Sequence, residues 1–156
     1  RFVLAARLAA VAASTTLLLA VAPSPAHATP CEDLAKQIAG QIDGLKVNFS
    51  ARNIVYLTHP AAKELSLGCR GRDYSNELYA KGDRKPKPEF YQLVASATAL
   101  VFTLPKDDTL TGATRCLKRM GLLRGDKVKM RYRRLNMECT RTKKDASIVV
   151  TRGKDE

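Results

Sequence analysis

The chain predicts an α+β domain: an antiparallel sheet of about five to seven strands, about three helices packed on one of its faces, and two disulfides. Short runs that alternate apolar and polar residues have the pattern of half-buried strands. Other segments repeat apolar residues every three or four positions, as one face of a helix does. All four cysteines, Cys31, Cys69, Cys116 and Cys139, lie beyond an N-terminal stretch that reads as an export leader.

The leader is expected over residues 1–28. Arg1 and Arg7 supply positive charge, an Ala- and Leu-rich stretch covers 8–22, and Ala26-His27-Ala28 has the small-x-small pattern of a cleavage site. That apolar run is about 15 residues, interrupted by Ser14, Thr15 and Thr16, against the roughly 20 that a spanning helix needs. Cleavage before Thr29 leaves 128 residues (156 less 28), a single α+β domain over 29–156. Cys31 follows Thr29-Pro30 rather than a lipobox. The expected location is periplasmic or secreted, the Ala/Arg-rich leader has bacterial character, and nothing in the mature chain is built to cross a bilayer.

The mature part opens on a helix. Thr29 is the capping hydroxyl, Pro30 takes the first helical position, Glu32 completes a capping box, and Leu34, Ile38, Ile42 and Leu45 form one stripe up to a stop at Gly44. Strands follow. Val47, Phe49 and Ala51 alternate with polar residues, Arg52-Asn53 is a turn, and the run over 54–57 ends at His59-Pro60. Leu65, Leu67 and Cys69 alternate again, a turn is expected over 70–76, and Leu78-Tyr79-Ala80 starts a return strand before a loop over 81–87.

Residues 88–104 are the most apolar part of the mature chain. Phe90, Tyr91, Leu93, Val94, Ala97, Leu100, Val101 and Phe102 wrap most of a helix's circumference, which predicts a buried central helix ended by Pro105. A further helix is expected over 110–120, capped by Asp108 or Thr109 and stopped by Gly121. In the last third, Val128, Met130 and Tyr132 point one way and Lys127, Lys129, Arg131 and Arg133 the other. The phase flips at Arg134, so Leu135, Met137 and Cys139 become the apolar set. That flip predicts a bulge or sharp bend near Arg133-Arg134. A turn over 141–145 precedes a final strand over 147–151.

Leu65-Ser66-Leu67-Gly68-Cys69 parallels Leu135-Asn136-Met137-Glu138-Cys139, and the same spacing leads on to Leu78-Tyr79 and to Ile148-Val149. Each half also carries a cysteine on an upstream helix, which suggests an α-β-β-β unit used twice. Four cysteines allow three pairings. Cys31–Cys69 with Cys116–Cys139 would pin each helix to the sheet beneath it. Cys69–Cys139 with Cys31–Cys116 would instead require the two cysteine-bearing strands to be neighbours.

Setting aside Arg1 and Arg7 leaves 25 of the 27 Lys and Arg against 15 Asp and Glu, a mature charge of about +10. Such a chain suits anionic partners: an anionic lipid or acidic glycan surface, or an acidic exported protein. Lys127, Lys129, Arg131 and Arg133 form the candidate anion-binding row, with about 6.7 Å between successive side chains on one strand face. A charged edge strand guarded against aggregation is the alternative use of the same row. Nucleic acid fits poorly, because aromatic stacking platforms do not interleave with the basic residues and Trp is absent.

No catalytic residue, metal or cofactor is assigned. His59, the only histidine of the mature chain, precedes a proline at a strand end, where a structural role is expected. Phosphate loops, nucleophile elbows and metalloprotease motifs are missing. Asp107-Asp108 reads as helix cap and dipole complement, and Asn48-Phe49-Ser50 as a coincidental sequon. The expectation is a non-enzymatic binding module. The alternatives are an inhibitor or accessory protein of another exported protein, and a hydrolase with carboxylates assembled only by folding.

Overall fold

The computed structural model describes residues 29–69, 74–121 and 125–153. The expected leader lies outside them, as do residues 70–73 of the turn expected over 70–76. The elements run α1 (Pro30–Ala39), β1 (Lys46–Ala51), β2 (Ile54–Thr58), β3 (Glu64–Cys69), β4 (Tyr74–Asp83), α2 (Pro88–Phe102), α3 (Lys106–Arg119), β5 (Lys127–Tyr132), β6 (Leu135–Arg141) and β7 (Asp145–Gly153). The strands form one seven-stranded antiparallel sheet in the order β1-β2-β3-β4-β7-β6-β5. This is the α+β architecture expected from the alternation and the helical stripes.

All three helices pack on one face. α1 lies over β1, β2 and β3, α3 over β5, β6 and β7, and α2 fills the middle against β4 and both other helices. That central position explains why α2 is apolar nearly all round: Phe90, Leu93, Val94, Ala97, Val101 and Phe102 are all buried. Beneath the helices, Val55, Leu57, Leu65, Leu67, Leu78, Leu135, Met137, Ile148 and Val150 form the sheet side of the core. Each fully buried side chain of this size stabilises the fold by about 1.5–3 kcal/mol relative to exposure.

Both disulfides follow the helix-to-sheet pairing, Cys31–Cys69 and Cys116–Cys139. The alternative fails for a topological reason: β4 and β7 lie between β3 and β6, so Cys69 and Cys139 are three strand positions apart. The repeat is visible as a pseudo-symmetric arrangement, β2-β3-β4 facing β7-β6-β5 across the β4/β7 pair, with α1 and α3 on corresponding sides. Its register is not repeated. Cys69 is opposite Asn76, whereas Cys139 is opposite Ile148, the counterpart of Leu78 in the sequence spacing.

Several expectations need correction. α1 ends at Ala39, not near Gly44: the Gly40 N–H donates to the Lys36 carbonyl and the Gln41 N–H to the Ile38 carbonyl, and Gly44 lies in the following turn at φ 78°. β4 runs on to Asp83, into the expected loop, because β7 pairs with it along its whole length. α3 starts at Lys106, before the expected caps, and Thr109 is buried with its hydroxyl donating to the Ala95 carbonyl of α2 at 2.8 Å. The Asp107-Asp108 pair lies in its first turn, where it complements the helix dipole.

The phase flip at Arg133-Arg134 is neither a bulge nor a bend within one strand. Both residues have positive φ (49° and 64°) and form a two-residue hairpin turn, so Tyr132 is opposite Leu135 on the same face. Arg133 therefore leaves the expected row. It lies in the turn with its guanidinium 3.6 Å from Asp108 of α3. Arg52 has the same left-handed conformation, at φ 57°, in the β1–β2 turn. Phe49, expected on the apolar phase, is exposed instead: a register shift between Val47 and Ser50 places it on the helix-free face of the edge strand.

Candidate functional site

The helix-free sheet face is where the expected anion-binding residues project. Val128 is buried under α3, so strand alternation sends Lys127, Lys129 and Arg131 to the opposite side. Across the β5/β6 ladder they face Thr140, Glu138 and Asn136. Glu138 takes both lysines: Lys127 Nζ is 2.5 Å from one carboxylate oxygen and Lys129 Nζ 3.0 Å from the other. Hydrogen bonds from Lys127 and then Lys129 hold the Glu138 carboxyl below its ordinary pKa. An acidic cross-strand neighbour thus relieves the repulsion within the row.

Beside this row lies a shallow depression of about 560 Å³, bordered by Lys129, Arg131, Asn136, Glu138, Glu77 and Thr151. Glu77 is partly buried there, and desolvation raises its pKa. Farther along the face, Lys81 pairs with Glu64 at 2.6 Å, and the Tyr79 hydroxyl donates to the same carboxylate at 3.2 Å.

Folding also brings two carboxylates together. Asp83 and Asp145 face each other across β4 and β7, with Lys63 Nζ 2.9 and 2.8 Å from them. Hydrogen bonding, first to Asp145 and then to Asp83, raises the lysine to about 12, and the same lysine lowers Asp145. Lys63 thereby bridges the two strands as an ionic clasp. His59 is likewise engaged by backbone: its Nδ1 accepts from the Ala61 N–H at 3.0 Å, leaving Nε2 to donate to the Asp43 carbonyl at 2.9 Å. Among the described residues no group of three His, Cys, Asp or Glu is placed to hold a metal.

Two groups of surface residues escape a reading by local pattern. Among the described residues Phe49, Ile54 and Tyr56 are the exposed large hydrophobics, and Phe49 stacks on Tyr56 with ring centroids 4.5 Å apart. Their signal was the uninterrupted apolar run over 54–57, which requires one apolar phase to face outward. The other group is the β4–α2 loop with Arg84, Lys85 and Lys87, in which Arg84 meets the β6–β7 turn in space. No sequence spacing announces that meeting. In comparison with known proteins, the chain matches no family model, no curated protein and no solved structure.

Proposed function

We propose that this protein is a small exported binding module, non-enzymatic, that engages an anionic surface or an acidic partner through its basic residues. The observation that carries the reading is the distribution of charge. Four acidic groups of the sheet face, Asp83, Asp145, Glu64 and Glu138, are already engaged by Lys63, Lys81, Lys127 and Lys129. Many remaining Lys and Arg side chains lie exposed around the domain, where they add to a long-range positive field. Lys129 and Arg131, at the rim of the open depression, are the expected strand contribution.

Binding of the mature protein to anionic vesicles, an acidic polysaccharide and a neutral control, measured across a salt series, tests this. Affinity should fall steeply with salt and weaken further in the Lys129→Glu/Arg131→Glu variant. Salt-insensitive binding, or equal binding to the neutral control, would overturn it. A second reading, an accessory or inhibitor protein docking on another exported protein, is favoured by the Phe49–Tyr56–Ile54 corner, since aromatic anchors concentrate binding energy at protein interfaces. In that case Phe49→Ala/Tyr56→Ala abolishes complex formation and the charge variant changes mainly its association rate.

A further inference from the structure

Residues far apart in sequence converge at one end of the sheet. The Arg84 N–H donates to the Lys144 carbonyl at 3.0 Å, and the Arg84 guanidinium donates to the Thr142 carbonyl. These bonds tie Arg84 to the β6–β7 turn that carries Lys143 and Lys144, and Lys85 and Lys87 follow Arg84 in the same β4–α2 loop, Lys87 beside His59, Pro60 and Ala61. Arg141 joins the last turn of α3 to the same end, its guanidinium donating to Met120 and Leu117 carbonyls at 3.1 and 3.3 Å. Lys118 and Arg119 arrive with that turn.

Arg84, Lys85, Lys87, Lys118, Arg119, Lys143 and Lys144 are all exposed. Among the described residues, none of them is in an ion pair with a carboxylate. The nearest acids on the sheet, Asp83 and Asp145, are occupied by Lys63. Glu89, in the first turn of α2, and Asp126, whose carbonyl accepts from the Arg141 N–H at 2.7 Å, are further acidic neighbours. The contrast with the β5 row is sharp, since Lys127 and Lys129 already share Glu138.

We propose that this loop end, rather than the strand row, is the docking surface, and that it docks on an anionic phospholipid bilayer. The proposal rests on the anion-binding reading above and names its surface and partner. A cluster of exposed, long and flexible cations suits a plane of headgroup phosphates, which requires no cavity and no fixed bidentate geometry. Sugar or base recognition would want an aromatic platform beside the cations. The exposed aromatics Phe49 and Tyr56 are instead on the β1–β2 hairpin, at the sheet margin remote from the β4/β7 loops, and Tyr91, the aromatic near Arg141, is half-buried with its ring edge-on to Phe90.

Co-sedimentation of the mature protein with phosphatidylglycerol-rich and phosphatidylcholine vesicles tests the assignment, with an acidic polysaccharide as a third ligand. The variant Lys85→Gln/Lys87→Gln/Lys143→Gln/Lys144→Gln removes charge without removing an ion pair. It should lose about a hundredfold or more in partitioning, at roughly fivefold per surface cation. Lys127→Gln/Lys129→Gln/Arg131→Gln should lose less than about threefold. If that second variant loses binding and the first keeps it, the loop assignment is overturned while the anion-binding reading stands. Binding to the polysaccharide but not to vesicles overturns the lipid assignment alone. Absence of binding to all three ligands overturns both.

Discussion

The two halves of the sheet solve one packing problem at different depths. In each, a helix cysteine is tied to the middle strand of a three-stranded unit: α1 to β3 through Cys31–Cys69, and α3 to β6 through Cys116–Cys139. In the second half both sulfurs are fully buried, 0% exposed, among Leu117, Met137 and the rest of the core. In the first, Cys69 is only partly covered and an extra edge strand, β1, extends the sheet beyond the unit. The same staple therefore anchors the core in one half and the margin in the other.

Loop length and burial rank the two bridges oppositely, so removing each pair decides between them. Chain-entropy reasoning assigns about 3.9 kcal/mol to the bridge with a separation of 38 residues and about 3.4 kcal/mol to that with 23. Cys116→Ala/Cys139→Ala also leaves a void in a core that is fully packed. We expect it to destabilise more than Cys31→Ala/Cys69→Ala, by urea unfolding. The reverse order would make unfolded-chain entropy the controlling effect. Mild reductant should open Cys31–Cys69 first, which alkylation and mass spectrometry can order.

Two glycines sharpen the comparison at smaller scale. A Cβ on Gly82 would lie 2.8 Å from the buried Phe90 ring, and one on Gly112 would lie 2.7 Å from the Tyr132 ring and 2.8 Å from the Met137 methyl. Gly82→Ala should cost about 1–3 kcal/mol, because the added methyl forces the buried Phe90 ring out of its packed position. Gly112→Ala should cost less. Met137 and the partly exposed Tyr132 can shift, and the helical position gains about 1 kcal/mol from alanine. Thermal unfolding of the pair checks this, and equal losses would show the second half to be as rigid as the first.

Next in size is the α1 cap. Thr29 Oγ1 accepts from the Glu32 N–H at 3.3 Å while Glu32 accepts from the Thr29 N–H at 3.0 Å. Thr29→Ala should cost about 1 kcal/mol and increase amide exchange in α1 but not in α3, which has no side-chain cap.

The smallest effect expected is electrostatic. The Glu138 pKa is depressed in the folded protein, so its stabilising contribution is present above the ordinary value of 4.5 and disappears as pH falls through the lower folded value. Glu138→Gln should lower the urea midpoint slightly at pH 7, with the difference from the parent protein shrinking below pH 4.5. A difference that persists in acid would mean that packing, not charge, makes Glu138 matter.

The hairpin at Arg133-Arg134 shows how far local pattern reaches. The exchange of apolar phase between Tyr132 and Leu135 was plain in the sequence, yet a bulge and a two-residue reversal exchange phase alike. Choosing between them depends on β6 pairing back onto β5, which turned Arg133 from a strand cation into a turn residue near Asp108. The extension of β4 to Asp83 has a similar origin: Lys81, Gly82 and Asp83 have little strand character, but β7 supplies the partners for their backbone. Of the expected row, the shared outward face of Lys127, Lys129 and Arg131 was legible because strand alternation is a covalent property of the backbone.

Read alone, the sequence determined the α+β class, the positions of most strands, the capped start of α1 and a preference for pairing each cysteine with its own half. Those follow from short-range periodicity and backbone stereochemistry. Only the tertiary structure decided which charges neutralise one another, which aromatics remain outside, and that Arg84 lies against Thr142 and Lys144. Coulomb interactions and burial depend on distance in space, and strand order brings together side chains whose separation along the chain carries no record of it.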